Sequence, residues 1–392
     1  MLIQFFLIAL LAIVAIPVLV LFTQVLAAIL LVRKTVNIAD GKNPTISILM
    51  PAHNESLIIA STIANLSSEL SSDIRLLVVA DNCSDDTAVI ARSLQVDVIE
   101  RTHDTKRGKG YALDFGIQHL KKSPPDIVIV LDADCAVSKN TLLSLAKACT
   151  HYRRPVQALY LMHAQASPNI RQRIAAFAWV VKNKVRPLGW ANVGLPCQLM
   201  GTGMAFLWED IAQADLANGH IVEDMKLGVD FAKQNKPPIF FAEVVVSSVF
   251  PVDQEAINSQ RARWEHGHIS VILAELPSML LHAVRHKNWQ MLGLSLDLLV
   301  PPVASLSIIC GLLLVATVLL HQFIIMPLVI LFASVIFFML FLSLLWAWYF
   351  YGRHIISFKQ LCYAPIYAFV KIPLYVKFFI NRQVEWVRSK RD

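Results

Sequence analysis

Ile127-Val-Ile-Val-Leu-Asp-Ala-Asp134 is the stretch that decides the fold of this chain. Five apolar residues in a row, four of them β-branched, are typical of a strand buried on both faces of a parallel sheet. Two carboxylates, Asp132 and Asp134, follow at the carboxyl end of that strand. In open α/β sheets, ligands bind outside the carboxyl ends of the strands. The stretch therefore predicts a sheet with a polar binding site along one edge.

Strands and helices alternate around this stretch. Three further apolar runs favour strands: Ile46–Met50, Arg75–Ala80 and Val96–Glu100. Helical patterns lie between the strands, at Glu55–Leu70, Asp85–Leu94 and Lys109–Lys121. The alternation predicts an α/β fold with a doubly wound, mostly parallel sheet. The sequence has neither a GxGxxG after the first strand nor a P-loop, which argues against dinucleotide binding and ATP hydrolysis.

Both ends of the chain are apolar enough to enter a membrane. Only 16% of the residues are charged, against about a quarter in a typical soluble domain. The apolar run Leu2–Val32 predicts an N-terminal transmembrane helix within residues 1–34. We expect an anchor rather than a cleaved signal peptide, because the run is long and no small-residue cleavage site precedes Arg33. Leu298–Leu320 and Phe323–Tyr351 predict a transmembrane hairpin over residues 298–351.

Basic residues predict the orientation in the membrane. They follow the first span and the last one, whereas the link at His321 has none. The positive-inside rule therefore predicts a cytoplasmic middle segment, 43–268, at the bacterial inner membrane. We expect residues 269–290 and the basic tail 357–392 to lie in the interface. The net charge of +7 is then explained by anionic headgroups and not by nucleic acid.

Asp132 and Asp134 predict a metal site. Two carboxylates at the rim of a buried strand repel each other unless a cation lies between them. Mg²⁺ or Mn²⁺, hard ions that prefer oxygen ligands, would also neutralise a diphosphate leaving group. The alternative is a pair of acidic residues that caps the helix beginning near Lys139. The six cysteines are scattered without a CxxC pair, so no structural zinc is expected.

Two further groups predict contacts with a nucleotide. Asp81 directly follows the second strand, where a carboxylate can accept hydrogen bonds from a base or a ribose. Lys109 lies in Lys106-Arg-Gly-Lys-Gly110, where glycines and the start of a helix suit an anion. The alternatives are an acidic first helical turn after Asp81 and a solvated basic loop around Lys109.

Two groups later in the chain indicate chemistry at a hydroxyl and a diphosphate. Glu223-Asp224 precedes a helical pattern, and such a pair is either a helix cap or the source of a general base. Gln260, Arg263 and Trp264 share one face of a predicted helix. A guanidinium suits phosphate, and an indole suits the C–H face of a sugar. The alternative is a membrane-proximal helix with an interfacial Trp.

In this order, the motifs resemble the signature of membrane-bound family 2 inverting glycosyltransferases. That branch includes the cellulose, chitin, hyaluronan and poly-N-acetylglucosamine synthases and ceramide glucosyltransferase. The signature is an Asp after the second strand, a DxD, an acidic pair ending in Asp, and QxxRW. Pro51-Ala-His-Asn-Glu55 is similar to the family's opening strand-loop. The resemblance covers residues 43–290 and implies the A-type glycosyltransferase fold.

The resemblance also implies a role for each matched residue. Asp134 would bind the metal, Asp81 would read the uracil of a UDP-sugar, and Asp224 would be the catalytic base. The remaining donor-binding residues would be Asn54, Glu55, Lys109, Asp132 and Arg263. The acceptor-binding residues would be Gly201, Thr202, Glu223, Gln260 and Trp264. The implied mechanism is a single displacement that inverts the anomeric centre.

Several alternatives remain open from the sequence. The acceptor is either a lipid-linked molecule or a growing polysaccharide, and a polymer would need an oligomer or an export partner, because three spans are few for a channel. The sugar is open as well, because Pro196–Met200 departs from the aromatic approach that the family usually has before its acceptor loop. Two other classes are a metal-dependent nucleotidyl- or phosphotransferase and a non-catalytic nucleotide-sugar-binding subunit. The first gives Gln260–Trp264 no role, and the second does not need Asp224.

Overall fold

The computed structural model describes residues 2–32, 42–164, 168–217, 219–220, 222–251, 254–370 and 372–373. The chain forms two compact units. We call them the sheet unit, which contains Lys34–Gln165 and Pro196–Val271, and the helical unit, which contains Met1–Arg33, Ala166–Leu195 and Ile272–Gln383.

The sheet unit is built on one eight-stranded sheet. Its strands are β1 (Ile46–Ala52), β2 (Ile74–Asp81), β3 (Asp97–Arg101), β4 (Ile127–Val130), β5 (Ala136–Val137), β6 (Val156–His163), β7 (Met204–Leu207) and β8 (Ile239–Val249). Their order across the sheet is β3-β2-β1-β4-β7-β6-β8-β5. Strands β3, β2, β1 and β4 are parallel, β6 is parallel to β8, and the other neighbours are antiparallel. The predicted α/β fold is confirmed, with a mixed second half.

The helices of both units are, in chain order, α1 (Leu2–Leu30), α2 (Ile59–Leu66), α3 (Thr87–Ser93), α4 (Lys109–Leu120), α5 (Thr141–Tyr152), α6 (Ile170–Val180), α7 (Arg186–Asn192), α8 (Trp208–Ile211), α9 (Glu223–Lys233), α10 (Gln254–Arg285), α11 (Trp289–Leu299), α12 (Val303–His321), α13 (Pro327–Ala347), α14 (Phe358–Leu361) and α15 (Ala364–Val370). Two π-helical turns, Val181–Val185 and Trp348–Gly352, follow α6 and α13 directly.

The centre of the sheet is dry because its strands are almost entirely apolar. Ile48, Leu49 and Met50 of β1 have no exposed surface. Strand β1 pairs in register with β2 and β4, so that Leu49 lies opposite both Leu77 and Val130. Parallel pairing brings the carboxyl ends of these three strands to the same edge of the sheet. The polar residues that follow each strand therefore meet at that edge.

Four helices in the described part of the chain are long and apolar enough to cross a membrane: Leu2–Leu30, Ala262–Arg285, Val303–His321 and Pro327–Gly352. Three of them correspond to the predicted spans. The fourth was predicted as an interfacial segment beginning at 269. The structure instead continues one helix, α10, from Gln254 through Pro277 to Arg285.

A buried polar cluster joins three helices of the helical unit. The Arg186 guanidinium of α7 pairs with the Asp297 carboxylate of α11 at 2.9 Å. Gln24 of α1 donates its side-chain amide to Asp297 at 2.6 Å, and its side-chain oxygen accepts from Arg186 at 3.2 Å. All three residues are buried. Because buried charges need partners, this cluster ties α1, α7 and α11 together.

The order of the units along the chain differs from the predicted domains. The sequence predicted one continuous cytoplasmic domain over 43–268, but residues 166–195 fold with the helical unit. Trp190 of α7 is buried there and donates to the carbonyl of Gly293 at 2.9 Å. Most of the predicted interfacial tail, from residue 374 onward, lies outside the described residues.

Candidate active site

The acidic pair after β4 forms the centre of the site. Oxygen atoms of Asp132 and Asp134 and the Cys135 sulfur all lie within 4.8 Å of one another. Both aspartates are partly exposed, whereas Cys135 is buried. Burial, followed by the charges of Asp134 and Asp132, raises the pKa of the Cys135 thiol well above its usual value. Two exposed carboxylates backed by a neutral thiol suit a hard divalent cation with oxygen ligands, so these residues fit the predicted Mg²⁺ or Mn²⁺.

Lys109, the first residue of α4, pairs with the acidic centre. Its ammonium contacts the Asp132 carboxylate and donates to the carbonyl of Gly201 at 2.7 Å. Burial acts to lower the pKa of Lys109, but the charges of Asp132, Glu223 and Asp224 raise it overall. The side chain therefore stays cationic at neutral pH. A fixed ammonium group beside two carboxylates could pair with the phosphate oxygens of a diphosphate.

The loop Met200–Gly203 runs between Lys109 and the acidic pair of α9. Gly201 and Gly203 have φ values of +91° and +65°, a region that side chains disfavour. A Cβ atom built on Gly201 would lie 3.4 Å from an Asp224 carboxylate oxygen and 3.8 Å from the Lys109 nitrogen. The sequence placed Gly201, Lys109 and Asp224 in one site, and the structure brings all three together.

Thr202 lies beneath this loop. It has no exposed surface, accepts the backbone N–H of Asp132 at 3.0 Å and donates to the Cys135 sulfur at 3.4 Å. Gln157, also fully buried, accepts from the backbone N–H of Met200 and donates to the Thr202 carbonyl. This position differs from the predicted acceptor contact, because a hydroxyl with both partners inside the protein is not presented to an acceptor.

Glu223 and Asp224 begin α9 with both side chains partly exposed. Burial, followed by the charge of Asp224, raises the pKa of Glu223 to about 7, against the opposing charges of Lys109 and Arg263. A carboxyl that titrates near neutral pH can exchange protons with a substrate hydroxyl. The pair therefore has acid–base capacity close to Gly201, and its charges act on Lys109 together with that of Asp132.

Asp81, at the end of β2, lies at the same sheet edge. Its buried carboxylate pairs with Arg101 at 2.5 Å and accepts from the Asn82 amide at 3.0 Å. Arg101 also donates to the Lys106 carbonyl at 2.7 Å and lies over the ring of Tyr111. The sequence singled out Asp81 but missed Arg101. Its only signal was a basic residue at the end of the neighbouring strand, β3.

Asn54 and Glu55 tie the loops after β1 and β2 to each other. Asn54 adopts a left-handed backbone, and its amide oxygen accepts the Ser84 N–H at 2.7 Å. The Glu55 N–H donates to the Thr87 hydroxyl at 2.8 Å. Asp85 accepts from the N–H groups of both Ser56 and Thr87 at 3.1 Å. These bonds hold the rim of the site next to Asp81.

Gln260, Arg263 and Trp264 lie on α10 within the sheet unit. Gln260 is buried, whereas Arg263 and Trp264 are partly buried. The charge of Arg263 acts on the pKa of Glu223, which places the guanidinium near the start of α9. At Gly267 the same helix packs against Val222, so closely that an added Cβ would lie 2.5 Å from a Val222 methyl. The structure thus brings the last predicted motif to the acidic pair.

Comparison with known proteins supports this reading of the fold. A family model described as Glycosyl transferase family group 2 matches residues 127–367, and one described as Glycosyl transferase family 2 matches residues 47–192. A search of curated protein sequences finds no match.

Two of the solved structures that match this chain agree with it to different extents. The mannosyltransferase PcManGT from Pyrobaculum calidifontis, in complex with GDP-Man and Mn²⁺, has a TM-score of 0.55 at 15% identity, covering 94% of this chain and 98% of its own. Glucosyl-3-phosphoglycerate synthase from Mycobacterium tuberculosis, with Mn²⁺, UDP and phosphoglyceric acid, has a TM-score of 0.35 at 18% identity, covering 60% and 84%. The likeness to PcManGT confirms the predicted A-type fold.

Proposed function

Because the chain belongs to glycosyl transferase family group 2, we propose that it is a membrane-anchored inverting glycosyltransferase. It transfers a sugar from a UDP-sugar to a lipid-linked or growing polysaccharide acceptor at the cytoplasmic face of the membrane. One observation carries this proposal: Lys109 pairs with Asp132 and donates to the Gly201 carbonyl, and a Cβ built on Gly201 would contact both Lys109 and Asp224. Positive charge for a leaving diphosphate and a base for an acceptor therefore lie close to the same loop.

The donor half of the site consists of residues along the carboxyl ends of β1, β2 and β4. Asp81 reads the uracil, with Asn54 and Glu55 at the rim beside it. Asp134, with Asp132, holds Mg²⁺ or Mn²⁺, which when bound supplies positive charge to the leaving diphosphate. Lys109 and Arg263 add fixed positive charge that needs no reorganisation during the reaction.

The chemical step is a single displacement with Asp224 as the base. Asp224 takes the proton from the acceptor hydroxyl as that oxygen forms its bond to the anomeric carbon. The bond between the anomeric carbon and the donor phosphate oxygen breaks, and the nucleoside diphosphate keeps the electron pair. Attack from the opposite face inverts the anomeric centre, so an α-linked donor gives a β-linked product.

The acceptor half consists of Glu223, Gly201, Gln260 and Trp264. Four described helices are long enough to span a bilayer, and one of these stretches, Ala262–Arg285, belongs to α10, the helix that also carries Gln260 and Trp264. This favours an acceptor that is itself in or near the membrane. The GDP-Man and Mn²⁺ held by PcManGT support a nucleotide-sugar and a divalent cation here without fixing the base or the sugar.

The test is a transfer assay with the purified full-length protein in detergent. The protein is incubated with Mn²⁺, membrane lipids and a panel of UDP-sugars together with GDP-mannose, and products are identified by mass spectrometry. We expect one UDP-sugar to yield a glycosylated product that Asp224→Asn does not form. A product carrying a phosphate or nucleotide would indicate a phosphotransferase instead. Tight UDP binding without any product would indicate a non-catalytic subunit.

A further inference from the structure

A chain of buried polar groups runs beneath the acidic centre. The Asp132 backbone N–H donates to the Thr202 hydroxyl at 3.0 Å, and that hydroxyl donates to the Cys135 sulfur at 3.4 Å. The Cys135 thiol in turn donates to an Asp134 carboxylate oxygen at 3.6 Å, a normal distance for a bond through sulfur. Thr202 is fully buried and Cys135 is 1% exposed. One uninterrupted run of donors therefore links the two aspartates from the inside of the protein.

We propose that Thr202 and Cys135 are positioning residues that hold Asp132 and Asp134 in the arrangement that binds the divalent cation. Thr202 fixes the backbone at Asp132, and Cys135 fixes the rotamer of the Asp134 side chain. The inference rests on the metal site of the proposed function and adds the two groups that shape it.

The chemistry of the two side chains suits this role. A carboxylate has about four lone-pair sites, so one bond from Cys135 leaves Asp134 able to bind a cation with the rest. A thiol is a weak donor, which orients the carboxylate while withdrawing little of its charge. Groups of this kind behind a metal ligand commonly set its affinity.

The loop that carries Thr202 is itself fixed from below. The buried Gln157 side chain donates to the Thr202 carbonyl at 2.9 Å and accepts from the Met200 N–H at 2.8 Å. Gly203 has no room for a side chain, since an added Cβ would lie 2.8 Å from a Val246 methyl. These contacts hold the Thr202 hydroxyl in place against the Asp132 backbone, as its proposed positioning role requires.

The experiment measures Mn²⁺ binding to the full-length protein in the presence of UDP, from the loss of the free-ion signal in electron paramagnetic resonance. We expect Cys135→Ala and Thr202→Val to weaken Mn²⁺ binding about tenfold. Thr202→Ser, which keeps the hydroxyl, should stay within about twofold of the wild type. The matched control is Cys149→Ala, because Cys149 is equally buried and its sulfur donates to the Arg154 carbonyl instead.

Kinetics distinguish positioning from general damage to the fold. Cys135→Ala should raise the Mn²⁺ concentration for half-maximal transfer by the same factor, while kcat at saturating Mn²⁺ stays within a few-fold. Cys135→Ala and Thr202→Val that both bind Mn²⁺ as Cys149→Ala does would overturn the proposal. A sulfur-to-metal charge-transfer band on loading wild type with Co²⁺, absent in Cys135→Ala, would also overturn it, because the thiol would then be a direct ligand.

Asp134→Ala separates this inference from the metal site on which it rests. If Asp134→Ala binds Mn²⁺ like the wild type, the metal assignment is wrong and the positioning roles fall with it. If Asp134→Ala abolishes binding while Cys135→Ala and Thr202→Val leave it unchanged, the metal site stands and only the positioning roles fail.

Discussion

Gly201→Ala tests whether the space between Asp224 and Lys109 is where the acceptor reacts. Gly201 has a φ of +91°, and a side chain in the left-handed region costs about 1–2 kcal/mol. The added Cβ would lie 3.4 Å from Asp224 and 3.8 Å from Lys109, which are ordinary contacts. We therefore expect the variant to fold, with its melting temperature lowered by about 2–8 °C.

If the acceptor hydroxyl reaches Asp224 through this space, as proposed, the added methyl group would block its path. Displacing a reacting group by about 1 Å can cost about a hundredfold in rate, so we expect kcat/KM for transfer to fall by about that factor. That loss corresponds to about 2.7 kcal/mol of transition-state stabilisation. UDP affinity should stay within a few-fold, because the added Cβ lies 3.8 Å from the donor-binding Lys109, an ordinary contact distance. Transfer of radiolabelled sugar and calorimetric UDP binding measure the two effects.

Gly194→Ala is the matched control for backbone strain. Gly194 has a φ of +78°, but no atom lies within 4 Å of its added Cβ. It should lower the melting temperature by a similar amount and leave transfer unchanged. If Gly201→Ala transfers sugar as well as Gly194→Ala does, the space beside Asp224 is not the reaction path.

Three further predictions concern the carboxylates. Asp134→Ala should lower transfer at least about a hundredfold and remove most metal-dependent UDP binding. Near-normal activity that still depends on metal would contradict the assignment of Asp132 and Asp134 as the DxD motif. Asp224→Asn keeps its shape but cannot take a proton, so transfer should collapse while calorimetry shows UDP affinity within a few-fold; a parallel loss of UDP binding would make Asp224 a nucleotide ligand. The pKa of Glu223 is raised from 4.5 to about 7, so its stabilisation is fully present below pH 4.5 and is lost as pH rises through about 7. Glu223→Gln should flatten that decline in a melting-temperature series against pH, and an unchanged slope would be inconsistent with a raised pKa at Glu223.

The first half of the sheet could be predicted because its signals are local. Runs such as Ile127–Val130 are apolar throughout, and parallel pairing then fixes where Asp81 and Asp132 must lie. The DxD, Lys109 and Asp224 were singled out as candidate site residues from residue type and order. Their proximity to Gly201 was implied only by resemblance, and the structure supplies the distances.

The parts of the fold and of the site that the sequence did not predict depend on contacts between residues far apart in the chain. Nothing local indicates that α6 and α7 leave the sheet unit, because α7 packs against α1 and α11, and α6 packs against the π-helical turn Trp348–Gly352. Nothing in the sequence distinguishes Cys135 from the other cysteines, because its partner Thr202 lies 67 positions later. The pairing of Arg101 with Asp81 likewise becomes evident only when β3 is placed beside β2.

The buried cluster of Gln24, Arg186 and Asp297 has a consequence for how the protein is made. Gln24 lies 162 residues before Arg186 and 273 residues before Asp297. At about 5–20 residues per second, a ribosome needs about 15–55 s to proceed from the first of these residues to the last. Throughout that interval α1 exists without the partners that its amide finally bonds. The cluster therefore cannot form until residue 297 has been synthesised, so the α1 amide reaches its final partners only after α7 and α11 have both been made.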